Sequence, residues 1–175
     1  MMVEGPGKCY ADGRTAPYAA LMTANANDTP TDVARRIIDD ASYMTLATAD
    51  ADGRPWATPV WFAERDLREF IWVSRPGTQH SRNIAERRDI ALVVFDSSVP
   101  PGEGVGVYVE AVASEVDDDE RADALAVYTT RSVARGIRPW DESDVTGASQ
   151  FRLYRAVASH MWVLDEHDGR VLVSE

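Results

Sequence analysis

One cysteine and one lysine in 175 residues remove whole classes of chemistry at the outset. Cys9 has no partner for an internal disulfide and lies in a Gly-, Pro- and Asn-rich stretch without a companion motif, which makes it a free thiol rather than a nucleophile. Lys8 sits in the same stretch with no apolar pocket around it, so Schiff-base chemistry is excluded. Histidine is nearly as scarce. His80, His160 and His167 are far apart and lack CxxC or HExxH companions, so no zinc site is expected. No apolar run approaches the roughly 20 residues of a membrane helix, and the opening residues lack the basic start and apolar core of a secretory signal. The expected address is the cytoplasm. Positive charge is also short, 18 basic against 29 acidic residues, and a net charge of −11 repels nucleic acid. The glycines of "GEGVG" (102–106) are followed by a strand where a dinucleotide fingerprint needs a helix, and neither a GxSxG elbow nor a P-loop is present.

What is present reads as a globular chain of one domain over 29–175, preceded by an extended arm over 1–28 that is free to drape over a partner. Thr29 or Thr31 caps a helix whose stripe is Val33, Ala34, Ile37, Ile38 and Ala41. "YMTLATA" and "WATPVWF" form a hairpin around an Asp-Gly turn. Pro59 cannot donate to a ladder, so the second strand is an edge or is bulged there. "FIWVS", a short helix "HSRNIAERR" and "IALVVF" follow, then a long strand with Val105, Val107, Val109, Ala111 and Ala113 on one face. A helix over "DDERADALAVYTTRSVARG" carries acids in its first turn and a stripe at Ala122, Leu125, Ala126, Thr129 and Val133. One or two strands around "EHDG" close the chain. About six strands with few helices, several apolar on both faces, predict a mainly β, α+β fold, a small closed or nearly closed barrel.

One stretch runs against the acidic background. Arg75, Arg82, Arg87 and Arg88 face a single acid, Glu86, and flank "TQHSRN", where a helix beginning near His80 aims its free N–H groups and the positive end of its dipole outward. Ser81 adds a hydroxyl and Arg82 a bidentate fork, so the segment reads either as a phosphate cradle or as a capped, solvated surface helix.

The order of elements, with "YMTLATADADGRPWATPVWF", "FIWVS…TQHSRNIAERRDIALVVF" and "FRLYRAVASHMWVLD", resembles the pyridoxamine 5'-phosphate oxidase-like family of FMN-binding split β-barrels over about residues 30–170. The resemblance implies a homodimer with the cofactor in a groove between its two barrels. It implies that Thr58, Pro59, Val60 and Trp61 run beside the ring and ribityl chain, that Trp72, Val73 and Ser74 lie next to them, and that Gln79, His80, Ser81 and Arg82 hold the phosphate. The partner subunit is expected to supply the remaining wall, through the fifth strand and the region around Trp140. The implied activity is FMN-dependent oxidoreduction, with hydride passing through flavin N5 to or from a small substrate. The alternatives are a reductase using the deazaflavin coenzyme F420, a flavin- or haem-binding module without turnover, and a cofactor-free scaffold.

Catalytic residues are not identified; Tyr128, Trp140 and His160 are the candidates near the substrate side. Two departures matter. His80 stands where many relatives have lysine, and Thr58 stands where the oxidase itself has a further basic residue; the oxidase's arginine-rich C-terminal substrate signature is also missing, which argues against authentic pyridoxamine phosphate oxidation. Because His80 titrates near an ordinary 6.5, FMN affinity is expected to weaken from pH 6 to 8.

Overall fold

Eight strands, with strict apolar alternation in β1 and β5 and along most of β6, join in one antiparallel sheet in a computed structural model describing residues 28–98, 100, 104–164 and 169–174. The strands are β1 (Tyr43–Ala49), β2 (Pro55–Trp61), β3 (Ala63–Arg65), β4 (Glu69–Ser74), β5 (Asp89–Phe95), β6 (Gly106–Glu115), β7 (Arg152–Leu164) and β8 (Arg170–Leu172). The helices are α1 (Pro30–Asp40), α2 (Gln79–Glu86) and α3 (Arg121–Ala134), with a 3-10 turn at Glu142–Asp144. The sheet runs β2-β1-β5-β6-β7-β4-β3, with β8 added to β7. It curls into the half-barrel of an α+β split barrel. The strand not expected is the three-residue β3, too short for periodicity to mark, while β7 and β8 are the pair allowed for on either side of "EHDG". Residues 1–27, which hold nearly all of the expected arm, and 165–168, which hold most of the expected final turn, lie outside the described residues.

Local chemistry explains the first helix. Thr29 is its N-cap: its hydroxyl accepts from the Asp32 N–H at 3.2 Å while the Asp32 carboxylate accepts from the Thr29 N–H at 2.9 Å, and Pro30 supplies the preset φ of the first turn. Val33, Ala34, Ile37 and Ile38 are buried as the spacing predicts.

The stripe expected on α3 is displaced. Ala124, Leu125, Tyr128 and Ser132 are buried, while Ala122, Ala126 and Val133 are exposed. The large Tyr128 ring, edge-on to Trp61 and to Trp140, sets the rotation of the helix, and burying it outweighs burying two alanines. The acids 117–120 precede the helix rather than forming its first turn, and Glu120 instead holds Arg155 of β7 with both carboxylate oxygens.

Two apolar clusters share the sheet. One fills the curl, with Met44, Leu46, Phe62, Phe70, Trp72, Leu92, Val107 and Tyr154 among its members; the other lies under α3, with Ala63, Ile71, Leu125, Tyr128, Val145 and Leu153. Strand β4 alternates between them, Phe70 and Trp72 into the first, Ile71 and Val73 towards the second. A strand packed on both faces reads as continuously apolar, which is why "FIWVS" shows no polar alternation.

The curl does not close. Strand β2 ends the sheet and meets β4 across a gap with no hydrogen-bonded ladder between them. Pro59, paired only with Thr45 of β1, therefore sits on an open edge, as its missing N–H requires.

Candidate functional site

The residues expected beside a ring line the two lips of this seam. Thr58, Pro59, Val60 and Trp61 are on β2, and Trp72, Val73 and Ser74 are on β4. Thr58 pairs with the buried Leu46 and turns its side chain inward; its Oγ1 is buried without a hydrogen-bond partner. Across the seam, Trp72 is fully buried and stacked on Tyr154 at 5.8 Å, and its Nε1 is likewise unpartnered. An orphaned buried donor or acceptor costs about 1–3 kcal/mol, and native structures keep few. Two of them, one on each lip, fit a ligand whose polar edge enters the seam.

At the end of β4 the chain turns through "RPGT" into α2. Thr78 is the N-cap by position and its side chain makes no capping bond, which leaves the first-turn N–H groups of α2 for an outside acceptor. Its hydroxyl stands 3.2 Å from Ser74 Oγ, 3.2 Å from His80 Nε2 and 2.9 Å from Ser81 Oγ. Ser74 Oγ in turn lies 2.7 Å from His80 Nε2. Ser81 also faces the Tyr154 hydroxyl, and burial raises the pKa of that phenol. Asn83 anchors the helix by donating to Thr48 Oγ1 of β1 at 2.9 Å, and Gln79 Nε2 donates to Asn83 Oδ1 at 2.8 Å. The structure thus assembles Ser74, Thr78, His80 and Ser81 into one hydroxyl-and-imidazole cluster. Thr78 and Tyr154 are members that sequence reasoning missed. The capping position of Thr78 was a signal for the first, but the second needs the register that sets Tyr154 opposite Trp72.

Charge is arranged differently from the expectation. His80 is 5% exposed, and burial holds its pKa below the ordinary 6.5, so it is neutral at pH 7. Arg82 folds back onto the carbonyl of Gly77 and onto Gln79 Oε1 at 2.7 Å. Arg75 lies over the Phe151 ring at 5.2 Å. The cluster is therefore built of neutral donors and acceptors, with its arginines on the rim.

Of the candidates near a substrate, Tyr128 reaches the β2 lip and Trp140 packs on Tyr128 without touching either lip. Tyr128 meets Trp61 edge-on at 4.8 Å and Trp140 at 5.5 Å. His160 does neither: it is exposed on the outer face of β7, 3.4 Å from Glu110 and stacked on Trp162 at 5.5 Å. Beside it the β6–β7 register shifts, Ser159 of β7 being the extra residue opposite Glu110 and Ala111, and a depression of about 600 Å³ there is lined by Ala47, Ala91, Ala111, Ser159 and His160. Among the described residues no group of three His, Cys, Asp or Glu could hold a metal ion, and no helix is long and apolar enough to cross a membrane.

Comparison with known proteins points the same way. The family model for pyridoxamine 5'-phosphate oxidase matches residues 30–163. A pyridoxine/pyridoxamine 5'-phosphate oxidase of Xanthomonas oryzae pv. oryzae is 32% identical over 101 residues, 58% of this chain and 49% of the relative. The chain thus spans about half the length of that relative. Among solved structures, a haem-binding protein from Mycobacterium smegmatis superposes with a TM-score of 0.66 at 18% identity, covering 84% of this chain and 58% of that one. HutZ, the haem storage protein of Vibrio cholerae, does so at 0.57 and 19%, covering 74% and 90%. At such identities these two likenesses carry the fold alone.

Proposed function

Because the chain belongs to the pyridoxamine 5'-phosphate oxidase family, we propose that it is a cytoplasmic, homodimeric oxidoreductase that binds FMN along the β2–β4 seam and acts on a small substrate. The observation that carries this reading is the pair of orphaned polar atoms, Thr58 Oγ1 and Trp72 Nε1, on opposite lips of an unpaired seam that ends at the open N-terminus of α2. When bound, the flavin would supply hydride transfer at its N5. The chain's own contributions are binding and exclusion of water. Thr58 and Trp72 would meet the polar edge of the ring, and Pro59 leaves an unladdered edge beside it. The first-turn N–H groups of α2, with Ser74, Thr78 and Ser81, would receive the phosphate, and the rim arginines would attract it. The partner subunit would complete the wall on the open side.

A second reading, a flavin- or haem-binding module without turnover, is favoured by the neutral cluster, which offers a phosphate dianion no inward fixed positive charge. The neighbours' described haem binding accords with it. One experiment separates the readings: visible spectra of the purified protein incubated with FMN, the deazaflavin coenzyme or haemin and then freed of unbound ligand. Retained FMN that NAD(P)H reduces and an acceptor reoxidises supports the enzyme. Retained FMN or haemin that does not cycle supports the module, and retention of the deazaflavin alone changes the cofactor. Retention of none of them withdraws the site.

A further inference from the structure

Of the aromatic residues on β2 and β4, only Trp56 is exposed, at 49%. It pairs with Thr48 of β1, as Thr58 pairs with Leu46, and both partners are buried. Residues directly opposite share a face, so Trp56 stands on the same side of β2 as the orphaned Thr58 hydroxyl, about 7 Å nearer the start of the strand. The start of β2 is where α2 is moored. Asn83 donates to Thr48 Oγ1 at 2.9 Å, and Thr48 Oγ1 donates in turn to the Trp56 carbonyl at 3.4 Å. The backbone of Trp56 is thus tied to the helix that opens on the hydroxyl cluster, while its side chain stays open to a ligand.

A solitary exposed tryptophan is ordinary on a surface, but the cluster beside this one is selective. Its inward groups are the hydroxyls of Ser74, Thr78 and Ser81, the His80 imidazole with Nε2 at 2.7 Å from Ser74 Oγ, and the first-turn N–H groups of α2, whose dipole is worth about half a positive charge. Arg82 is held by Gly77 and Gln79, and Arg75 lies over Phe151. A phosphate monoester carries between about 1.5 and 2 negative charges at pH 7, because its second pKa is near 6. Once esterified a second time, a phosphate has no such ionisation and carries one. Charge taken out of water without a partner is costly, so neutral donors and a helix end suit the singly charged group better.

We propose that the seam continues past the phosphate cluster to Trp56, and that the flavin it takes is esterified at its phosphate to a group with a second aromatic ring, as in FAD, whose adenine stacks on the indole. This rests on the flavin reading above and extends it, since ring, ribityl chain and first phosphate keep the places given there. Stacking needs a π-face and no hydrogen-bond code, which a half-exposed indole on a fixed backbone supplies.

The test is equilibrium binding of FMN and of FAD to the full chain at pH 7, for wild type, Trp56→Ala and Trp56→Leu. FAD should bind wild type about tenfold more tightly than FMN, near the low end of what one stacked base contributes. Trp56→Ala should abolish that preference and leave FMN affinity unchanged. Trp56→Leu, which keeps apolar bulk without a π-face, should do the same, and melting temperatures near that of wild type would show that neither loss comes from the fold. Equal binding of the two flavins, or binding of FMN alone, overturns the esterified ligand and leaves the flavin reading intact. A preference for FAD that survives in a folded Trp56→Ala or Trp56→Leu protein overturns the stacking platform. Wild type that binds neither flavin overturns the proposal together with the functional reading.

Discussion

His80 shows how burial changes what one side chain can do. A histidine in place of a lysine suggested an ordinary titration across pH 6–8; packed between Ser74 and Thr78, it instead holds its proton less tightly than in water. The folded pKa is depressed below the unfolded value of about 6.5, so the unfolded chain binds the proton first. The stability contributed by neutral His80 is therefore present above pH 6.5 and is lost as pH falls through 6.5 towards the folded value, which a thermal-melt series of wild type against His80→Gln should show. Ligand binding has its own sign. A phosphate dianion favours protonated His80, so FMN affinity should fall as pH rises from 6 to 8, and His80→Lys should flatten that slope and tighten binding at pH 8. Equal slopes in the two proteins would remove His80 from the phosphate site. Thr58 makes the complementary prediction. Its orphaned hydroxyl costs the empty protein stability, so Thr58→Val should leave the melting temperature unchanged or raise it while weakening FMN retention. A lowered melting temperature would mean that the hydroxyl is satisfied in solution.

Between elements, arginines of α3 tie it to α1, and the chemistry of that tie is a helix cap made from a distance. Arg131 donates to the carbonyls of Ile38 at 2.6 Å and Ala41 at 2.8 Å, at the open C-terminus of α1, and lies 5.0 Å over Phe62; Arg135 reaches the Asp39 carbonyl beside it. Carbonyls left over at a helix end suit a guanidinium fork, which a lysine ammonium does not match. Arg131→Ala should cost about 2–3 kcal/mol, seen in urea unfolding as a lower midpoint at constant slope, and Arg131→Lys should recover only part of it. None of this was legible in the sequence. The two partners are some 90 residues apart, and the apolar pattern of α3 pointed to Ala122, Ala126 and Val133, because periodicity counts residues equally and cannot weigh one aromatic ring against three small side chains. By contrast, α1, the β1–β2 hairpin and the inward face of β6 were legible, since each depends on local capping, a turn or strict alternation. Of the candidate site, "TQHSRN" stood out by its charge, the two lips came only from the family resemblance, and the seam between them exists only once the sheet has curled.

For the whole molecule, the outward face of the sheet is the unsolved surface. Tyr43 at 60%, Phe95 at 49% and Leu172 at 50% exposure lie on it with Tyr108 and Trp162, and among the described residues no helix covers them. A second subunit is the cover that the proposed homodimer requires. Phe95→Asp should then yield a folded monomer in sedimentation and lose FMN in parallel. A variant that stays dimeric would place the interface elsewhere, since an exposed substitution by itself seldom shifts a monomer's stability by more than about 0.5 kcal/mol.

The order of strands also sets a schedule for biosynthesis. Strand β4 emerges from the ribosome early, beside β3, but its principal neighbour is β7, some 80 residues later, and β7 is also the neighbour of β6. Until residues 152–164 have been made, the nascent chain can pair β1 with β2 and β5 with β6, while Phe70, Ile71 and Trp72 remain without the strand that shelters them. Long-range closure of this kind is slow relative to hairpin formation. The interval between synthesis of β4 and of β7 is therefore when the chain is most exposed to aggregation, and when a chaperone that grips apolar segments would find "FIWV".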